Sequence, residues 1–217
     1  MRKKLKRFAE NAQRSNIIEP GKAIYTNIKG QWNTAYFGNT SDLVVELACG
    51  KGAYTLGLAQ MFSNKNFVGV DIKGARLWTG STQAITEKLS NVVFLRARIE
   101  ELDSFFAAKE ISTLYIPFPD PHPRSRDAKR RLTSPRFWAL YRQLLQPDGQ
   151  VHFKTDNDAL FEYTLQVLQA ERIKNLTYTR DLYASPLLAE HHGIQTAYEQ
   201  QFLAQDIKIS YLRFAFR

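Results

Sequence analysis

The sequence predicts an α/β fold, a doubly wound and mostly parallel sheet that ends in an antiparallel pair at its C-terminal edge. Three observations carry this expectation. Short apolar runs alternate with segments of helical period between residues 43 and 171. The runs are mostly apolar without strict alternation, as strands covered on both faces are. The last forty residues change to strand-like alternation. Successive strand and helix units imply right-handed crossovers and an open sheet.

Residues 1 to about 40 are basic, polar and glycine-bearing without sustained periodicity, so they read as an N-terminal arm and lead-in. Residues 41–217 read as one domain, because 217 residues suffice for one core and would leave two cramped. Parallel strands are expected at 43–47, 67–71, 92–95, 114–116 and 151–154, with helices at about 53–63, 74–89, 100–109, 134–146 and 157–171. The fourth helix is the best marked: Ser134 at the N-cap, Pro135 at the first helical position, apolar Phe137, Tyr141, Leu144 and Leu145, then Pro147-Asp148-Gly149 as a stop. Residues 176–180 and 207–212 supply the antiparallel pair. The sequence contains no internal repeat and no low-complexity linker.

Thirty lysines and arginines against 21 acids give a formal charge of +9. The surplus is clustered, with five basic residues among the first seven and five more from Arg124 to Arg131. Clustering of this kind points to a polyanionic partner, nucleic acid first. Cys49 is the single cysteine, which excludes an internal disulfide and a cysteine zinc site and fits a reducing cytoplasm. No apolar stretch follows the basic N-terminus and no long apolar run occurs later, so neither export nor membrane insertion is expected.

The first predicted strand runs through Glu46-Leu47-Ala48-Cys49 into Gly50-Lys51-Gly52 and a helix. Glycines at such a turn let backbone approach a ligand in the crevice beyond the strands' carboxyl ends. A dinucleotide fingerprint would want a third glycine where Thr55 stands. Asp71, at the end of the second strand, can accept hydrogen bonds from both hydroxyls of an adenosine ribose, a role compatible with a dinucleotide or a methyl donor. Glu46 separates the two, because a carboxylate before the turn repels a pyrophosphate and suits the cationic methionine end of S-adenosylmethionine. Cys49 reads as a small packing residue, with no base nearby in sequence to make it a nucleophile.

After the fourth strand, Pro117-Phe118-Pro119-Asp120-Pro121-His122-Pro123 places four prolines in seven residues. Proline fixes φ and removes amide donors, so strand pairing stops and a stiff loop presents Asp120. Phe118-Pro119-Asp120-Pro121 followed by Lys129-Arg130-Arg131-Leu132 resembles the signature of bacterial tRNA (guanine-N7)-methyltransferases. Phe153-Lys154-Thr155-Asp156-Asn157, Leu160-Phe161-Glu162-Tyr163 and Thr196-Ala197-Tyr198-Glu199 are similar to the family's later motifs in the same order and spacing, and the resemblance runs from about Gly30 onward.

The resemblance implies a Rossmann-like class I methyltransferase fold, S-adenosyl-L-methionine as cofactor, and tRNA as partner, methylated at N7 of the guanine at position 46 in the variable loop. It implies cofactor contacts from Glu46, Gly50, Gly52, Asp71 and Asp120, with Asp120 catalytic. It implies substrate contacts from Arg124, Asp156, Thr196, Tyr198 and Glu199, and RNA contacts from Arg126, Lys129, Arg130 and Arg131. Four positions depart from the family pattern. Ala48 replaces the usual first glycine of the turn, a mild change if its φ is negative. His122 stands where tryptophan is common, Arg96 or Ala97 where a polar adenine contact is usual, and Arg124 where lysine is frequent.

Guanine N7 carries an in-plane lone pair and no proton at neutral pH, so methylation there needs alignment and no general base. Asp120 and Asp156 are expected to position the base and offset its developing charge. No metal is expected, since adjacent His191 and His192 make a poor chelate, and His152 reads as packing. Thr196 and Glu199 also have the spacing of a helix N-terminal capping box. Two other readings remain: a non-catalytic RNA-binding protein, which has no need of Glu46, Asp71 and Asp120 together, and a small-molecule methyltransferase, which leaves the basic clusters without a role.

Overall fold

In the computed structural model, which describes residues 3–217, the apolar runs pair into one eight-stranded sheet. The strands are β1 (Ile17–Ile18), β2 (Asp42–Leu47), β3 (Lys65–Val70), β4 (Val92–Leu95), β5 (Ile111–Pro117), β6 (Leu145–Thr155), β7 (Ile173–Thr179) and β8 (Ser210–Phe216). Their spatial order is β1-β4-β3-β2-β5-β6-β8-β7. Pairing is parallel from β1 across to β6 and antiparallel at β6 with β8 and at β8 with β7. The expected fold class is therefore present, antiparallel edge included.

The helices are α1 (Lys3–Gln13), α2 (Ala23–Asn27), α3 (Ala53–Met61), α4 (Gly74–Thr86), α5 (Pro135–Leu144), α6 (Asp158–Leu168) and α7 (Ala197–Leu203). Because strand side chains alternate between faces, β2 sends Leu43, Val45 and Leu47 to one layer and Val44 to the other. The first layer packs against Phe137, Trp138 and Tyr141 of α5 and Leu160 and Phe161 of α6. The second packs against Leu56, Leu58 and Ala59 of α3 and Leu77 and Ala84 of α4. The same alternation turns Glu46 toward the α3 layer, which determines what its carboxylate can reach.

Three expectations need correction. The segment 1–40, expected as an arm and lead-in, contributes core residues where it is described. Ile17 and Ile18 are fully buried and pair with Phe94 and Leu95, and buried Trp32 donates its indole N–H to the Phe105 carbonyl at 2.8 Å. A two-residue strand is too short to show a period, which hid it. Helix α1 lies on α4, with the Arg7 and Arg14 guanidiniums 4.6 and 5.0 Å from the Trp78 ring. The expected helix at 100–109 is a short 3₁₀ turn, Ile99–Ser104, broken by non-helical Glu101. The final strand begins only at Ser210.

Candidate active site

Strand order reverses beside β2, which has β3 on one side and β5 on the other. In open α/β sheets the crevice at the carboxyl ends of such strands is where ligands bind. Three loops meet there: the turn after β2, the end of β3, and the proline-rich loop after β5.

The turn 48–52 winds through the left-handed region, with φ of 53° at Ala48, 59° at Gly50 and 74° at Gly52. Ala48 is thus strained rather than a mild replacement, since an L-residue there meets its own following carbonyl. Gly52 is required by packing as well, because a Cβ would lie 2.4 Å from the Phe94 ring. A Cβ at Gly50 would meet nothing within 4 Å, so that face of the turn is open. Cys49 is buried in the core, and burial raises its thiol pKa well above the ordinary value, which leaves it inert.

Asp71 clasps this turn. Its Oδ2 accepts from the Gly50 amide at 2.9 Å and its Oδ1 from the Lys73 amide at 2.7 Å, and each oxygen keeps a further lone pair. Glu46 is buried at 4% exposure, and its carboxylate accepts from the Thr55 amide at 2.8 Å and from the Thr55 hydroxyl. Burial pushes its pKa up to about 7 despite those bonds and the nearby Lys154 charge. An open glycine turn, a carboxylate at the end of β3 and a desolvated carboxylate that gains from a cation beside it together fit an adenosyl cofactor with a cationic end.

The proline-rich loop leaves β5 with Phe118 at φ 50° and passes His122 at φ 41°. Asp120 is exposed, and one carboxylate oxygen accepts from the His122 amide at 3.3 Å. Arg131 bonds the carbonyls of Pro121 and His122 at 3.1–3.3 Å and stacks on Tyr163 at 4.2 Å. Arg131, expected to meet RNA, also braces the loop that carries Asp120, its fork donating to two carbonyls there. Arg124, Arg126, Lys129 and Arg130 are exposed on the following loop and 3₁₀ turn, Ser125–Arg130. Asp156, half-buried after β6, has its pKa raised by burial.

Thr196 caps α7: its hydroxyl accepts from the Glu199 amide at 3.2 Å, and Glu199 accepts from the Thr196 amide at 3.3 Å. Tyr198 is exposed, whereas Glu199 is fully buried. The Glu199 carboxylate receives both bonds of Lys154 Nζ at 2.9 and 2.7 Å and the Tyr183 hydroxyl at 3.2 Å, with His191 Nε2 at 2.8 Å. Expected as a substrate contact, Glu199 is therefore occupied inside the fold. Burial would raise its pKa, but His191 and Lys154 outweigh that and hold it low.

Lys154 and His191 carried no assigned role in the sequence. Lys154 lay in a quoted motif, and the signal was a lysine within an otherwise apolar strand end. His152 packs as expected, stacked on Tyr115 at 4.5 Å and 2.7 Å from the Tyr211 hydroxyl, with burial driving its pKa down to about 3. Among the described residues, no cluster of three or more metal-ligating side chains occurs and no helix is long and apolar enough to cross a membrane.

Fold and site together define the class, a methyltransferase on a doubly wound sheet. A family model described as a putative methyltransferase matches residues 40–212. A solved 16S rRNA methyltransferase, KamB, superposes with a TM-score of 0.63 at 14% identity over 90% of this chain and 94% of that one. A solved antibiotic-related methyltransferase gives a TM-score of 0.59 at 20% identity, over 84% and 90% of the two chains. At those identities the likeness is one of fold. The tRNA (guanine-N(7)-)-methyltransferase of Cytophaga hutchinsonii is 48% identical over 217 residues, covering 99% of this chain and 98% of that protein. That of Bacteroides thetaiotaomicron is 42% identical over 215 residues, covering 97% and 84%. The chain belongs to the tRNA (guanine-N(7)-)-methyltransferase family.

Proposed function

We propose that this chain methylates N7 of a guanine in tRNA, at position 46 of the variable loop, with S-adenosyl-L-methionine as donor. One observation carries the reading: buried Glu46, Asp71 on the open glycine turn and exposed Asp120 converge at one end of the sheet, and Asp120 is continuous with an exposed basic run. Asp71 holds the ribose with its remaining lone pairs, and Glu46 faces the cationic amino-acid end. When bound, the cofactor supplies an electrophilic methyl group on sulfur.

The chain's own work is placement and electrostatics. Arg124, Arg126, Lys129 and Arg130 hold the phosphates, which contribute affinity in proportion to the counterions released. Asp156 reads the guanine N1–H and exocyclic amine, a donor pair that adenine lacks. Asp120, on a loop braced by Arg131, offsets the positive charge that builds on the purine as N7 becomes bonded, a preorganised charge of the kind that lowers such barriers. Thr196 and Tyr198 border the base. No side chain removes a proton, because N7 has none. The lone, buried Cys49 suits a cytoplasmic location.

The test is direct. Bulk tRNA from cells lacking this modification, incubated with the protein and labelled donor and digested to nucleosides, should yield label in 7-methylguanosine. Label in another nucleoside, or none, refutes the reading.

A further inference from the structure

Lys154 and Glu199 form a charged pair at 4% and 0% side-chain exposure, 2.7 Å apart. Removing two charges from water costs as much as their attraction returns, so a buried pair is poor evidence for stability. Its location is informative instead. The Lys154 carbonyl accepts from the Phe118 amide at 2.8 Å, which anchors the first residue of the loop carrying Asp120. Its ammonium lies 4.5 Å from the Tyr54 ring, in the first turn of α3 after the glycine turn, and 5.3 Å from the Phe118 ring. The same ammonium fixes Glu199, which closes the capping box with Thr196 beside exposed Tyr198. One residue thus touches the element after the cofactor turn, the Asp120 loop and the Thr196–Tyr198 edge.

We propose that Lys154 is a positioning residue for methyl transfer: by holding Glu199 it sets the Thr196–Tyr198 edge against the Asp120 loop, so that the base is aligned. This rests on the reading that both segments border the guanine. Glu199 then acts through the fold and does not touch the substrate.

The test uses Lys154→Met, Glu199→Gln and the double variant in the full chain. Lys154→Met takes the ammonium from a buried carboxylate, leaving it His191, the Tyr183 hydroxyl and the Thr196 amide, and should lower Tm. The double variant replaces the pair by neutral groups of similar size and should recover most of that loss. If Lys154 positions, the double variant still loses about tenfold to a hundredfold in single-turnover transfer, the scale of a misplacement near 1 Å. Its KM for tRNA rises, the rate deficit persists at saturating cofactor, and Lys154→Arg recovers part of the rate. Normal transfer in the double variant overturns the proposal. If the double variant melts early, transfer is measured in the cold per cofactor-bound molecule, and an unchanged ratio overturns the proposal equally. Asp120→Asn run alongside separates the two readings: a crippled Asp120→Asn beside a normal double variant sinks only the role of Lys154, whereas normal rates in both sink the assignment of the site.

Discussion

The Glu46 carboxylate accepts hydrogen bonds from both the backbone amide and the hydroxyl of Thr55, so the first helix after the glycine turn is tied to the strand before it. Burial raises the Glu46 pKa from the ordinary 4.5 to about 7. Between these values the folded chain keeps a proton that the unfolded chain releases, so stability falls as pH rises through that window. The loss is complete above about pH 7 and amounts to about 3 kcal/mol. Glu46→Gln should therefore melt at a higher temperature than the parent at pH 8, with the difference closing toward pH 4.5. Cofactor affinity should move the other way. A cationic amino group beside Glu46 favours the ionised form, so S-adenosylhomocysteine should bind the parent more tightly as pH rises through about 7, and Glu46→Gln should lose that dependence. Melting curves and titration calorimetry across pH decide both, and parallel profiles for the two proteins would remove Glu46 from the cofactor site.

Ala48 is exposed and sits at φ 53°. The left-handed region costs an L-residue roughly 1–2 kcal/mol, partly offset by glycine's larger unfolded entropy. Ala48→Gly should stabilise the chain by about 0.5–1 kcal/mol, roughly 1–4 °C in Tm for a chain of this length. Differential scanning calorimetry tests this, and a lower Tm would mean that the alanine methyl group makes a contact worth more than the strain.

The basic run divides by direction. Arg126, Lys129 and Arg130 face solvent, while Arg131 is spent on the carbonyls of Pro121 and His122. Replacing the first three by alanine should flatten the logarithmic salt dependence of tRNA binding by about three, with Tm unchanged. Arg131→Ala should do the reverse, lowering Tm and transfer rate while leaving the salt slope nearly intact. Filter binding over a salt series separates them, and equal slope changes would place Arg131 at the RNA.

The contrast between Arg131 and its neighbours marks what the sequence can carry. The parallel sheet with its antiparallel edge and the positions of Glu46, Asp71 and Asp120 were legible because each acid lies in or just beyond an apolar run, and a strand's end fixes where the next residue lies. Side-chain direction beyond the strands was not. Arg131 and Glu199 look like surface charges until the carbonyls, Lys154 and His191 that occupy them are brought close by distant segments. Lys154 was overlooked because its role depends on α7, 45 residues away. Ile17, Ile18 and Trp32 escaped notice because a two-residue strand and an isolated aromatic have no period to read.

Asp120 carries the central claim, that catalysis here is placement of guanine N7 and stabilisation of the charge it acquires. Amide and carboxylate are nearly the same size, and Asp120 is exposed, so Asp120→Asn changes charge while leaving packing alone. The deciding measurement is single-turnover formation of 7-methylguanosine on tRNA by Asp120→Asn with cofactor and protein in excess. The rate should fall by orders of magnitude, with tRNA affinity and Tm little changed. A rate close to that of the parent would contradict the claim, leaving the proline-rich loop as scaffold and Asp156 as the carboxylate to examine next.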